Sequence, residues 1–309
     1  MQGSYRKVAI IGVGHVGEMA AFMLATHNLA SEVAVVDRRL ARSRAVANDL
    51  KTSIHRLGST SAVTACNLRE CADADVAVIT AALPVRLGQS RNDMFANNVG
   101  LYKTLVPELE GASFTGTYLV VTNPVDLMTY AMADVYGIDP ERVVGTGTVL
   151  DAMRLADILM DEQGSSGAQA LCLGEHGENL VVDWSHTSAD GLEIPCEKRE
   201  DIRRATIDYA YEIVKGKGST SFGIAQSIFE ILKAIASDEA DRILPVSKVL
   251  TGAYGVSGIA ASVPSICGGM RVTPVGAEFF GEGVEERLVG VADQMRATYA
   301  EAMKAVNNQ

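Results

Sequence analysis

The sequence is short of positive charge, of cysteine and of long apolar runs, and each shortage removes a class of function. Its 309 residues carry 27 lysines and arginines against 38 aspartates and glutamates, a formal net charge of −11. Nothing in that balance offsets repulsion from a phosphate backbone, so nucleic acid is not expected as a partner. No stretch approaches the ~18 apolar residues of a membrane helix. The first apolar run, residues 8–11, is stopped by Gly12 too early for a signal peptide. A cytoplasmic protein without a membrane partner is the expectation. Five cysteines (Cys66, Cys71, Cys172, Cys196, Cys267) are odd in number and show no CxxC spacing. They read as reduced thiols rather than a disulfide framework or a metal cluster, and no metal is expected.

What is present is a globular composition, 48% hydrophobic and 21% charged, with length enough for two domains at ~100–200 residues each. Residues 8–11, 33–36, 76–79 and 118–121 are apolar at every position, the pattern of strands buried on both faces. Between them lie helical stretches at 16–27, 40–53 and 93–110. This alternation predicts an α/β fold whose first half is a doubly wound parallel sheet. After about residue 145 the pattern changes. A helix over 148–162 precedes short strands at 171–173, 180–186 and 192–194, then helices over 202–214 and 220–237. Strands at 242–250 and 258–263 and a closing helix over 285–304 follow. The second half, 146–309, therefore reads as a mixed α+β domain packed on a first domain of residues 1–145, with a site between them.

The segment Gly12-Val13-Gly14-His15-Val16-Gly17 follows the first strand and opens a helix. The first glycine permits the tight turn, the second admits a pyrophosphate to the backbone, and the third lets helix and strand pack closely. The anion would sit on the unpaired N–H groups of the helix N-terminus. A tight turn without ligand gives the same six letters, but the next apolar run ends at Asp37, twenty positions beyond Gly17. A carboxylate there accepts hydrogen bonds from the adenosine ribose and repels a 2′-phosphate, favouring NAD over NADP. Its alternative role is a helix cap before Leu40. Arg38 and Arg39 stand beside it, and guanidinium groups bind phosphate well.

In the second half, His176 lies between glycines in Gly174-Glu175-His176-Gly177. A histidine is the natural acceptor of a hydroxyl proton released during hydride transfer, provided a carboxylate fixes its tautomer and a cation holds an acidic substrate. Asp151 and Arg154, three apart on one helix face, can supply both. Thr148-x-x-Asp151 is equally a capping-box-like start, and an Asp–Arg pair at this spacing is a common surface feature.

Several separated motifs, in order over nearly the whole length, carry a resemblance. They are GVGHVG at 12–17, Asp37, LGQSRND at 87–93, TNPVD at 122–126, GTGTVLDAMR at 145–154, LGEHG at 173–177, KGKGSTSFG at 215–223 and LPVSKVLTGAYG at 244–255. The chain resembles the NAD-dependent L-lactate/L-malate dehydrogenases, most closely the bacterial L-lactate and L-2-hydroxyisocaproate type. The resemblance implies an oxidoreductase with NAD as cofactor and a small 2-oxo or 2-hydroxy acid as substrate, assembled as a homotetramer or homodimer. It implies His176 as acid/base, Asp151 as its orienting carboxylate and Arg154 as a bidentate clamp on the substrate carboxylate. Arg91, on a loop that closes over the site, would polarise the reacting carbonyl. Asn123 would bond near the substrate oxygen and the nicotinamide, Thr220 would line the substrate pocket, and Ile224 would pack on the nicotinamide. Gly12, Gly14, Val16, Gly17, Asp37, Arg38 and Ala81 would line the rest of the cofactor.

The chain departs from the family pattern in two respects. The residue that aligns with the specificity position is Val85, with Arg86 next to it. An apolar group cannot pair a second substrate carboxylate, so pyruvate or a larger apolar 2-oxo acid is expected over oxaloacetate. A loop shifted by one residue would instead turn Arg86 to the substrate and restore the malate reading. The positions that hold fructose 1,6-bisphosphate in many bacterial relatives are Ala156 and Gln169, which offer no cation, so no such activation is expected. A non-catalytic NAD(H)-binding module is the remaining alternative. It would be expected to lack some of His176, Asp151, Arg154 and Arg91, all of which are present.

Overall fold

The computed structural model of the chain describes residues 5–84 and 90–307. Its first half alternates β1 (Tyr5–Ile11), α1 (His15–Thr26), β2 (Ala30–Val36), α2 (Leu40–Arg56), β3 (Ala62–Ala65), β4 (Val76–Ile79), α3 (Arg91–Glu110), β5 (Thr117–Val120), α4 (Val125–Asp134) and β6 (Val143–Gly145). These six strands run parallel in the order β3-β2-β1-β4-β5-β6. The unbroken apolar runs have a direct cause. Ala9 and Ile11 of β1 face one core with Phe95, Tyr102 and Met128, while Val8 and Ile10 face another with Ala20, Leu24 and Ile54. With helices on both faces, no position in these apolar runs is exposed.

The second half contributes α5 (Val149–Gln163), β7 (Ala168–Gln169), β8 (Cys172–Gly174), β9 (Leu180–Val182), β10 (Ser188–Ala189), β11 (Leu192–Glu193), α6 (Cys196–Lys217), α7 (Phe222–Ala236), β12 (Arg242–Thr251), β13 (Ser257–Gly268), β14 (Arg271–Pro274) and α8 (Val284–Asn307). This is the expected succession of a Rossmann-type half and a mixed α+β half, with a feature the sequence did not announce. The sheet does not end at the change of pattern. β6 pairs antiparallel with β12 through Gly145 and Ser247, β12 with β13, β13 with β8 and β8 with β9. Among the described residues this makes one sheet of eleven strands. Helix α7 crosses back as well, burying Ile228, Ile231 and Leu232 in the same cluster as Leu24 of α1. No helix among the described residues is long and apolar enough to cross a membrane.

The thiols need one correction. Cys66 and Cys71 are joined as a disulfide at the end of β3, where chain reversal within five residues packs both side chains into the core. Cys172 and Cys267 are free and buried, and Cys196 is free and exposed.

Candidate active site

The dinucleotide turn has the shape its glycines predict. Gly12 adopts φ +99, and a Cβ there would lie 2.6 Å from the backbone of Ala81, so β1 and β4 converge here only without a side chain. A Cβ on Gly17 would strike the Gly12 carbonyl and the Thr80 hydroxyl, whereas one on Gly14 would meet nothing within 4 Å. Close packing at the two outer glycines and open space at the middle one fit a pyrophosphate seated on the first turn of α1. Val16, in that turn, packs on the core beneath. Asp37 follows β2, with its side chain 17% exposed. It does not cap α2, whose N-cap is Arg39 without a side-chain bond. Instead its Oδ1 accepts the Arg39 N–H at 3.0 Å, and the Arg42 guanidinium lies 3.9 Å from Oδ2. Arg38 is exposed beside it.

In sequence 25 residues separate Asp151 from His176, and the fold removes that distance. Helix α5 begins without the capping box: Thr148 is buried and its hydroxyl donates to the Cys172 carbonyl at 2.7 Å. Asp151 is thereby left for His176, whose Nδ1 lies 2.6 Å from Asp151 Oδ2. A carboxylate there can only accept, so Nδ1 carries the proton and Nε2 is the nitrogen left for a substrate. The Asp151 carboxylate raises the His176 pKa above its ordinary 6.5, against the opposing effect of burial. Arg154 extends from the same helix with its NH1 3.6 Å from Asp151 Oδ1. Asp151 and Arg154 are 3% and 5% exposed, so this is no solvated surface pair. A guanidinium this buried, with remaining N–H groups to satisfy, attracts a carboxylate from outside.

Arg91 opens α3 behind a Ser90–Asp93 capping box. Its guanidinium rests on the histidine turn: a Cβ on Gly177, at φ +124, would lie 2.8 Å from Arg91 NH2. Its NH1 is 3.7 Å from Glu175 Oε1. Asn123 is exposed at the head of α4, and its carbonyl accepts from Asn98 Nδ2 at 2.9 Å. Thr220 precedes α7, whose first turn presses Gly223 onto Leu150 of α5 and packs Ile224 on the cluster beneath the dinucleotide turn. Val85 and Arg86 lie outside the described residues. His176, Asp151, Arg154 and Arg91 are thus brought into one cluster, with Asn123, Thr220 and Ile224 on the elements around it.

Two contacts were not anticipated from the sequence. The His176 backbone N–H donates to Asp126 Oδ2 at 2.9 Å, and Asn98 bridges Asn123 to the Leu83 N–H at 3.0 Å. Asp126 sits inside the TNPVD motif, but only the fold connects it to a residue fifty positions away. Chemically, the cluster is a buried cation beside a histidine that can exchange a proton through Nε2, in a chain that also carries a turn shaped for a dinucleotide.

The NAD-binding domain of lactate/malate dehydrogenases matches residues 6–145, and the α/β C-terminal domain of the same enzymes matches residues 148–305. The chain is 36% identical to an L-lactate dehydrogenase of Priestia megaterium, over 84% of this chain and 85% of that one. It is 33% identical to an L-lactate dehydrogenase of Streptococcus thermophilus, over 97% and 95%. The crystal structure of a minor L-lactate dehydrogenase from Enterococcus mundtii superposes with a TM-score of 0.89 at 29% identity, covering 96% of this chain and 98% of that one.

Proposed function

Because the chain belongs to the lactate/malate dehydrogenase family, we propose that it is an L-lactate dehydrogenase-type oxidoreductase. It reduces pyruvate or a larger apolar 2-oxo acid with NADH. The observation that carries this reading is the 2.6 Å contact of His176 Nδ1 with Asp151 beside the buried Arg154.

NADH, when bound, supplies the hydride that the substrate carbonyl carbon accepts. The remaining work falls to the chain. Arg154 holds the substrate carboxylate through paired N–H groups, fixing which carbonyl face is presented. His176 enters as imidazolium, and its Nε2 proton goes to the carbonyl oxygen as the C–H bond forms, leaving a hydroxyl and a neutral imidazole. Asp151 steadies the imidazolium before transfer and keeps Nδ1 protonated throughout. Arg91, half exposed and resting against the Gly177 backbone, donates toward the carbonyl oxygen as negative charge develops. Asn123, Thr220 and Ile224 line the substrate and the nicotinamide. Gly12, Gly14, Val16, Gly17, Ala81, Asp37 and Arg38 line the remainder of the cofactor.

Val85 supports an apolar substrate side chain, since an apolar residue gives a second carboxylate no partner. The domain boundary is proposed at 145/146, with a cytoplasmic location. A homodimer or homotetramer is supported by Tyr211 and Val214, neighbours on one face of α6 that are 56% and 47% exposed.

The test is an NADH-oxidation screen over pyruvate, 2-oxobutyrate, 4-methyl-2-oxopentanoate, phenylpyruvate and oxaloacetate. An apolar 2-oxo acid is expected to lead in kcat/KM by at least ~10-fold, a difference of ~1.4 kcal/mol that one unpaired buried charge readily supplies. A lead for oxaloacetate that Arg86→Ala abolishes would establish the malate reading instead.

A further inference from the structure

His176 stands on a loop with a glycine on each side, Gly174 at φ +88 and Gly177 at φ +124. Such a loop has few restraints of its own, yet Nε2 must reach a substrate oxygen with little tolerance. Asp151 restrains the ring only. The backbone of His176 is held from a different element: its N–H donates to Oδ2 of Asp126, in the first turn of α4, at 2.9 Å. Oδ1 of Asp126 accepts from the Ser262 hydroxyl of β13 at 3.0 Å. Asp126 is 2% exposed and no lysine or arginine lies within 4 Å of it among the described residues. An unpaired carboxylate in the core is expensive unless something uses its charge.

We infer that Asp126 is a second positioning residue for His176, anchoring the loop through the backbone N–H while its charge adds to that of Asp151 in favouring the imidazolium. This rests on His176 being the proton donor of the proposed reaction. The charged groups around the imidazole are Asp151 and Arg154 from α5, Asp126 from α4, Glu175 from its own loop and Arg91 from α3. Arg154 opposes protonation. The Glu175 carboxylate is already engaged by Arg91 and by Asn179 Nδ2 at 2.6 Å. Asp126 is thus the charge besides Asp151 that remains available to the ring. Burial pushes its own pKa up to about 6, so it is ionised at neutral pH and loses its charge in mildly acidic solution.

Asp126→Asn separates anchor from charge, because an amide oxygen can still accept the His176 N–H and the amide nitrogen can donate to Ser262. Imidazole NMR titration of His176 in the variant without substrate is expected to give a pKa lower by about half a unit or more. The alkaline limb of pyruvate reduction should move down with it. Asp126→Ala removes the anchor too and should lower kcat at least ~10-fold further, with KM little changed. Serial loss of kcat with an unmoved His176 titration would overturn the charge role. Should the variants fail to fold, the wild-type His176 amide resonance decides: a titration step near pH 6 in addition to the higher step of its own ring supports the pairing, and the step of the ring alone refutes it. The NMR readouts need no substrate, so they stand apart from whether the substrate reading is correct.

Discussion

The glycine turn after β1 and the charged cluster around His176 solve different problems with different materials. The turn is six consecutive residues whose function is mostly the absence of atoms: no Cβ at Gly12 or Gly17, where backbone already occupies the space, and an open approach at Gly14. The cluster is an accumulation of charge, with His176, Asp151, Arg154, Arg91 and Asp126 drawn from four separate segments and mostly withdrawn from water. Local backbone geometry sustains the first, whereas the second exists only once the sheet has closed through β12 and β13. Damage to the turn should therefore appear in cofactor affinity, and damage to the cluster in turnover.

The sharpest break is His176→Ala. Turnover should fall at least ~10²-fold, the scale of a lost general acid/base, while NADH titrates as in the wild type. A folded variant with near-full activity would remove His176 from the chemistry. The wild-type pH profile tests the same group. Its pKa is raised above 6.5, chiefly by the Asp151 carboxylate, so it stays protonated above that value. Pyruvate reduction should persist beyond pH 6.5 and decline as the pH rises through the raised pKa, with lactate oxidation rising over the same interval. A reduction limb at or below 6.5 would mean that Asp151 does not act on the ring in solution.

Gly17→Ala probes the other region. The added Cβ meets the Gly12 carbonyl, so the turn must spread. NADH affinity should weaken about tenfold, the equivalent of ~1.4 kcal/mol of induced strain, with kcat at saturating NADH retained. Equal losses of kcat and affinity would show that the two regions are not separable. Asp37→Ser should narrow the preference for NADH over NADPH several-fold by removing repulsion of the 2′-phosphate. Equal use of both cofactors by the wild type would mean that Arg38 or Arg39 governs that end of the site. The smallest expected effect is none: Ala156 on α5 and the exposed Gln169 on β7 give a sugar bisphosphate no cation. Pyruvate saturation should be unchanged by millimolar fructose 1,6-bisphosphate, and a leftward shift would reveal another anion site.

The same contrast explains what could be read in advance. Strands β1, β2, β4 and β5 were legible because burial on both faces leaves an unbroken apolar run, and the glycine turn because its spacing is itself the structure. Helix α4 was not, since Val125–Asp134 mixes apolar residues with no polar stripe: Leu127, Met128, Ala131 and Met132 are all buried. Strand β3, with the sequence AVTA, is too short and too weakly apolar to register. In the cluster, the resemblance supplied His176, Asp151, Arg154 and Arg91, but residue spacing alone left the Asp–Arg pair equally consistent with a helix cap. Only tertiary structure shows Thr148 donating to Cys172 instead. Asp126 is the clearest case, because its partner is a backbone N–H, which leaves no mark in a sequence.

The single pairing of Gly145 with Ser247 has a mechanical consequence. Because β6 is hydrogen-bonded to β5 on one side and β12 on the other, the boundary between the halves is a strand within a sheet rather than a tether between bodies. A hinge there would tear the ladder, and Gly145 is so tightly set between Thr129 and Ser247 that no side chain could enter. The halves are expected to melt in one calorimetric transition, and the slowest-exchanging amides should run unbroken across residue 145.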